Sequence, residues 1–147
     1  MSKLIDFKEK LLGLYHNRNQ ALSHPQQWAH IYVQFEENDD GNIISKSWYA
    51  TESSQNPYRQ SALELKELDD KIIATIDGFD VEFILSDGYW IAESKRVIPS
   101  KNMYVLTSIK FDGENYYSKD GGFHIKNDRF LWGKNLYEGH FHFIKEK

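Results

Sequence analysis

The chain has 147 residues, a formal net charge of −4, 15% aromatic residues and no cysteine. That length suits one domain with one good-sized core. The acidic balance argues against a nucleic-acid partner, which would need a basic stripe, and the missing thiols exclude disulfides, thiolate metal sites and a cysteine nucleophile. No apolar run approaches membrane-spanning length and no signal-peptide core opens the chain, so no membrane partner is expected and the expected location is the cytoplasm.

Leu4, Phe7, Leu11, Leu14 and Tyr15 recur at helical spacing, which predicts one amphipathic helix over residues 1–24, closed by Pro25. Residues 27–147 read as strands of a single β-domain. The runs Trp28–Phe35, Ile43–Ala50, Ser61–Leu68, Ile72–Ile76, Val81–Leu85, Met103–Phe111 and His140–Ile144 are rich in β-branched and aromatic residues. Five Asp-Gly pairs punctuate them, at 40–41, 77–78, 87–88, 112–113 and 120–121, and tight hairpins favour this pair because their central residues need positive φ. The stretch from Ser86 to Asn102 is less regular and reads as a solvated connection or as a flap at a barrel mouth. The expected fold is mainly β, an antiparallel barrel with an N-terminal α-helix against it.

The run Asn56-Pro57-Tyr58-Arg59-Gln60 leads straight into the strand Ser61–Leu68. Arg59 shares its parity with Leu63 and Leu65, which aims the guanidinium at the apolar interior. An inward charge needs a carboxylate. The spacing leaves open whether a protein acid or a ligand provides it. The strand Trp28–Glu36 has Trp28, His30, Tyr32 and Gln34 on one face and Ala29, Ile31, Val33 and Phe35 on the other. The next strand groups Ile44, Lys46, Trp48 and Ala50, with Glu52 at its end, opposite Ser47 and Tyr49. Which parity faces inward in these two strands is left open by the pattern. With Tyr58 and Arg59, these elements combine aromatic walls, cations and a carboxylate, a mixture suited to a large flat conjugated ligand with acidic arms.

Other chemistry is less well supported. Turn geometry accounts for the Asp-Gly aspartates without a catalytic role. His140 and His142 share a strand face at a zinc-ligand spacing, but a third ligand such as His30 or His124 would have to converge from another strand, so they are read as barrel-end histidines and no metal site is expected. No nucleophile elbow and no glycine-rich phosphate loop occurs.

Several patches recur in a familiar order. They are Asn17-Arg18-Asn19-Gln20-Ala21-Leu22, Pro25 followed by Ala29-His30-Ile31, Pro57-Tyr58-Arg59, Asn102-Met103, Phe111-Asp112-Gly113 and Gly139-His140-Phe141-His142-Phe143. In these the chain resembles the T-type phycobiliprotein lyases, the CpeT/CpcT family, over most of its length. It departs from the family at Lys101, where a cysteine is usual before Asn-Met. It is also short before Pro57 and across residues 130–138, where one Trp132-Gly133 remains, like the trimmed forms carried by viruses of cyanobacteria.

The resemblance implies a calycin-like barrel, akin to the lipocalins, that accepts an open-chain tetrapyrrole as substrate, with no permanently bound cofactor. The bilin, phycoerythrobilin being favoured, would pass to a cysteine of a phycobiliprotein β-subunit; a homodimer is left open. Arg59, with Lys46, Lys95 or Arg96, is assigned to the propionates. Glu52 is assigned to the pyrrole nitrogens or to proton donation, and Trp48, Tyr49, Tyr58 and His30 to the wall. A bilin carrier without transfer activity and an unrelated lipocalin-like small-ligand barrel are the alternatives.

Overall fold

A computed structural model describes residues 2–135 and 138–146. Met1, Leu136, Tyr137 and Lys147 lie outside these, and with them both ends of the expected 1–147 domain and part of the 130–138 segment. The described elements are α1 (Lys3–Leu11), β1 (Gly13–His16), α2 (Arg18–Ser23), β2 (Ile31–Glu37), β3 (Ile43–Tyr49), β4 (Arg59–Leu68), β5 (Lys71–Ile76), β6 (Phe79–Ser86), β7 (Tyr89–Ile98), β8 (Met103–Phe111), β9 (Asn115–His124), β10 (Phe130–Gly133) and β11 (Phe141–Lys145). Among the described residues, ten antiparallel strands close a ring in the order β9-β11-β1-β2-β3-β4-β5-β6-β7-β8, with β8 returning to β9. The short β10 continues the edge of β9 where β11 leaves it. β11 pairs with residues 115–118 and β10 with residues 121–123. The fold is the expected calycin-like barrel.

The expected helix over residues 1–24 is corrected to two helices with a strand between them. Gly13 has φ +140, outside the helical range, and releases the chain from α1 into β1. Leu14 and Tyr15 fit the helical period, but the ring needs a strand between β11 and β2, and β1 supplies it. Tyr15 is then fully buried, its hydroxyl 2.9 Å from the carbonyl oxygens of Lys10 and Leu11 at the end of α1. Burial first, and Asp112 nearby, push the Tyr15 phenol upward, so it stays a donor.

The connection expected between Ser86 and Asn102 is instead the ten-residue strand β7, in unbroken register with β8 from Trp90↔Phe111 to Ile98↔Met103. Its inward series runs Trp90, Ala92, Ser94, Arg96, turning from apolar to polar halfway, and that change hid the alternation. Asp77-Gly78 and Asp87-Gly88 are tight turns with both residues at positive φ. Asp120-Gly121 is not a turn; it lies inside β9. There a Cβ on Gly121 would collide with the Lys134 carbonyl oxygen, and one on Gly122 with the Trp132 indole, so the glycines admit close neighbours rather than bend the chain.

α1 closes one end of the ring. Its N-terminus is held by Glu67, which accepts a 2.9 Å bond from the Leu4 N–H, and Lys8 pairs with Glu37 at 2.6 Å. Phe7 enters the barrel with no exposure and meets Phe83, Trp90 and Phe111 edge-on at 5.1–5.3 Å. Phe35, Ile43, Ile72, Tyr116 and Phe143 complete a packed core in this half. The opposite end is the mouth.

α2 continues the wall beside the start of β11. Asn17, 1% exposed, donates to the Ala29 carbonyl at 2.8 Å and accepts from the Ile31 N–H at 2.7 Å. Gln20 donates to the His140 carbonyl at 2.9 Å and accepts from the His142 N–H at 3.0 Å, standing in for the strand β11 lacks there. Replacing Asn17 by Ala removes the partner of the buried Ile31 N–H and of the part-buried Ala29 carbonyl. Urea unfolding of Asn17→Ala is expected to show a loss of about 2–3 kcal/mol; a loss under about 0.5 kcal/mol would contradict this role.

Candidate functional site

Strand register fixes what faces the lumen. The buried Ile31, Val33 and Phe35 of β2 pair with Tyr49, Ser47 and Ser45 of β3, so these three point inward. Ser47 and Ser45 pair in turn with Arg59 and Ser61 of β4, which lie on the face of buried Leu63. On the far side, Ser94 and Arg96 of β7 are opposite Thr107 and Val105 of β8, and these are opposite Asp120 and Gly122 of β9. The half of the lumen above the aromatic core is therefore lined by hydroxyls, two guanidiniums and a carboxylate.

Arg59 does share the inward face of Leu63, as its parity requires, but at the mouth it is not buried. Its Nη1 lies 3.4 Å from Asp120 Oδ2, with side-chain exposures of 60% and 35%. β4 and β9 are five places apart in the ten-stranded ring, so this pair bridges opposite walls. The lumen there is a slot spanned by two side chains. An ion pair this open contributes roughly 0–1 kcal/mol to stability and is readily exchanged. Arg96 also faces the lumen, its guanidinium 5.2 Å from the centre of the Phe79 ring.

At the rim Tyr49 and Tyr58 stack at 4.6 Å, and both remain about half exposed. Burial first, and then Tyr49, push the Tyr58 phenol upward, while a hydrogen bond to the Ser47 side chain works the other way.

The other expected residues lie elsewhere. Trp48 and Lys46 have outward parity, and Trp48 stacks on Tyr32 at 5.8 Å on the outer face. His30 contacts His16 and Tyr32 on that face, and its buried Nε2 has no hydrogen-bond partner among the described residues. Lys95 lies outside, over the Tyr104 ring at 4.4 Å. Glu52 is in the exposed β3–β4 connection, accepting from Asn56 Nδ2 at 3.0 Å. The structure thus places Arg59, Arg96, Tyr49 and Tyr58 on the lumen side and leaves Glu52, His30, Lys46, Lys95 and Trp48 outside the lumen. Asp120 and the inward hydroxyls were missed. Asp120 was absorbed into a turn signal, and serine carries no hydrophobic parity.

His140, just before β11, and His142, within it, have neutral partners. His140 Nε2 lies 2.9 Å from Ser108 Oγ, and His142 Nε2 lies 2.8 Å from Asn115 Oδ1. Among the described residues no group of three His, Cys, Asp or Glu is placed to hold a metal ion.

No family model and no curated protein sequence matches the chain. Solved structures that share its architecture include the following two. The T-type phycobiliprotein lyase CpeT from Prochlorococcus phage P-HM1 is 24% identical, covers 100% of both chains and superposes with a TM-score of 0.81. The CRL protein of Arabidopsis is 16% identical over 97% of both chains, with a TM-score of 0.72. At these identities the likeness establishes the fold.

Burial is the largest influence on His30, His140 and His142 and holds all three below the ordinary imidazole value. The folded chain then prefers them neutral, while the unfolded chain takes up protons near pH 6.5. Their stabilising contribution is present above that pH and is lost as pH falls below it. Melting temperature is expected to drop between pH 7 and pH 5, with a shallower drop in His142→Asn; a flat profile would contradict the assignment.

Proposed function

We propose that the open half of the lumen binds an open-chain tetrapyrrole and that the protein presents this bilin to a cysteine of a phycobiliprotein β-subunit. The observation that carries the reading is the pair of inward guanidiniums, Arg59 and Arg96, at the mouth of a slot whose other end is filled. A bilin is a flat conjugated ligand with two propionates on its central rings, and guanidinium is the side chain best matched to carboxylate. The ordered sequence patches support the same reading, as does the full-length fold likeness to a T-type phycobiliprotein lyase.

In this reading a propionate takes Arg59 from Asp120. The exchange costs little, because the resting pair is weak and wet. Asp120 is then free to accept pyrrole N–H groups, the role first given to Glu52. Tyr49 and Tyr58 cover one face of the chromophore. Transfer adds the partner's thiol across the exocyclic double bond of ring A. A carbon–sulfur bond forms, the thiol proton goes to the neighbouring carbon, and nothing leaves. The chain has no cysteine, so the nucleophile belongs to the partner and the bilin is held without a covalent bond. Holding one face of the ring toward an approaching thiol supplies rate and site selectivity through orientation. Phycoerythrobilin is favoured on the resemblance to the short viral forms.

Mixing the pure protein with phycoerythrobilin is expected to sharpen and shift the absorption and raise the fluorescence, and acid denaturation should release the pigment. With a phycoerythrin β-subunit added, one acceptor cysteine should be labelled as a single isomer, read by tryptic peptide mass and absorption. Unchanged spectra would reject bilin binding. Binding with the same yields and isomers as the uncatalysed reaction would leave a carrier.

A further inference from the structure

Trp132 is a large ring near the mouth that the reading above does not use. It lies opposite Gly122 in β10, and a Cβ on Gly122 would strike the indole at Nε1, Cε2 and Cδ1. Gly122 shares its face of β9 with Asp120, so the indole rests on the lumen side of the wall. Asp120 and Gly122 are two residues apart, which puts the ring roughly 7 Å above the carboxylate, toward the mouth. On the opposite wall, Ser47 pairs with Arg59, and Tyr49 is two residues further toward the mouth. Because Arg59 reaches Asp120 across the slot, Trp132 and the Tyr49–Tyr58 stack stand at the same height on facing walls.

β10 is held at both ends. The Lys134 N–H donates to the Asp120 carbonyl at 2.8 Å, and the Lys134 ammonium lies 4.1 Å from the centre of the Trp28 ring. At the other end Phe130 meets Phe123 at 5.9 Å. Trp132 is nonetheless 44% exposed, as Tyr49 and Tyr58 are 45% and 49%. Three rings facing one slot, anchored by their backbones and only half covered, form two facing jaws.

We infer that Trp132, seated on Gly122, is the second jaw of an aromatic clamp and stacks on the bilin face opposite Tyr49 and Tyr58. The inference rests on the bilin reading and adds a specificity residue to it. The clamp immobilises the ring system directly above the Arg59–Asp120 pair, so it governs the torsional freedom of the chromophore as well as its affinity.

The test titrates phycoerythrobilin into wild type, Trp132→Ala, Trp132→Phe, Gly122→Ala and the Gly122→Ala/Trp132→Ala double variant, with melting temperature recorded for each. Trp132→Ala should raise Kd about ten- to hundred-fold, as loss of one aromatic stack does, and should lower bilin fluorescence, a signature that a merely structural role would not move. Trp132→Phe should keep most of both. Gly122→Ala displaces the indole and should weaken binding alone but add nothing to Trp132→Ala. Wild-type affinity and fluorescence in Trp132→Ala would overturn the clamp while leaving the bilin reading intact. Additive effects of Gly122 and Trp132 would also overturn it. Wild type failing to bind phycoerythrobilin overturns the bilin reading, and the clamp falls with it.

Discussion

Phe7 decides what this barrel can hold. Carried in by α1, it makes edge-on contacts with Phe83, Trp90 and Phe111 and fills one end of the ring. A ten-stranded ring is wide enough to enclose a ligand, and this plug makes it a cup with a single open end. Burying an aromatic side chain of this kind contributes roughly 1.5–3 kcal/mol, much more than the exposed ion pair at the mouth. Stability is concentrated in the closed half, and the open half is free to carry polar groups that stability alone would not select.

The division of labour runs along single strands. β7 goes from Trp90 and Ala92 in the core to Ser94 and Arg96 in the lumen, and β9 goes from Tyr116 to Asp120. β3 and β4 do the same from Ile43 and Leu63 to Ser47 and Arg59. Each strand therefore contributes both to the core and to the site, so rigid elements position the charged groups. Arg59 and Asp120 hold each other in the resting barrel, but weakly. A carboxylate-bearing ligand with ring N–H groups answers both residues at once, whereas a simple anion satisfies only the arginine.

The sequence made the closed half easier to read than the open half. Alternation is legible where the inner face is apolar, as at Leu63 and Leu65 of β4, and it vanishes where the inner face turns to serine and arginine, which is why β7 looked irregular. Arg59 was legible because Leu63 and Leu65 carry its parity. His30, Lys46, Trp48 and Glu52 were misplaced for a related reason. The outer face of β2 and β3 is itself aromatic, with Trp48 stacked on Tyr32, so residue type alone does not distinguish inside from outside. Gly121 carried a turn signal, but what it and Gly122 accommodate is the Lys134 backbone and the Trp132 indole, a contact between segments that no local pattern encodes. Likewise Tyr15 fits a helix by spacing and lies in a strand because the ring has to close there.

The central claim is that the two inward guanidiniums hold the two propionates of a bilin. The most direct measurement compares phycoerythrobilin with its dimethyl ester, which has the same ring system but no carboxylates, in wild type and in the Arg59→Ala/Arg96→Ala double variant. Charge-assisted hydrogen bonds of about 1.5–3 kcal/mol each predict that esterification weakens binding to wild type by at least tenfold. The double variant should bind acid and ester alike. Equal affinity of wild type for the acid and the ester would contradict the account.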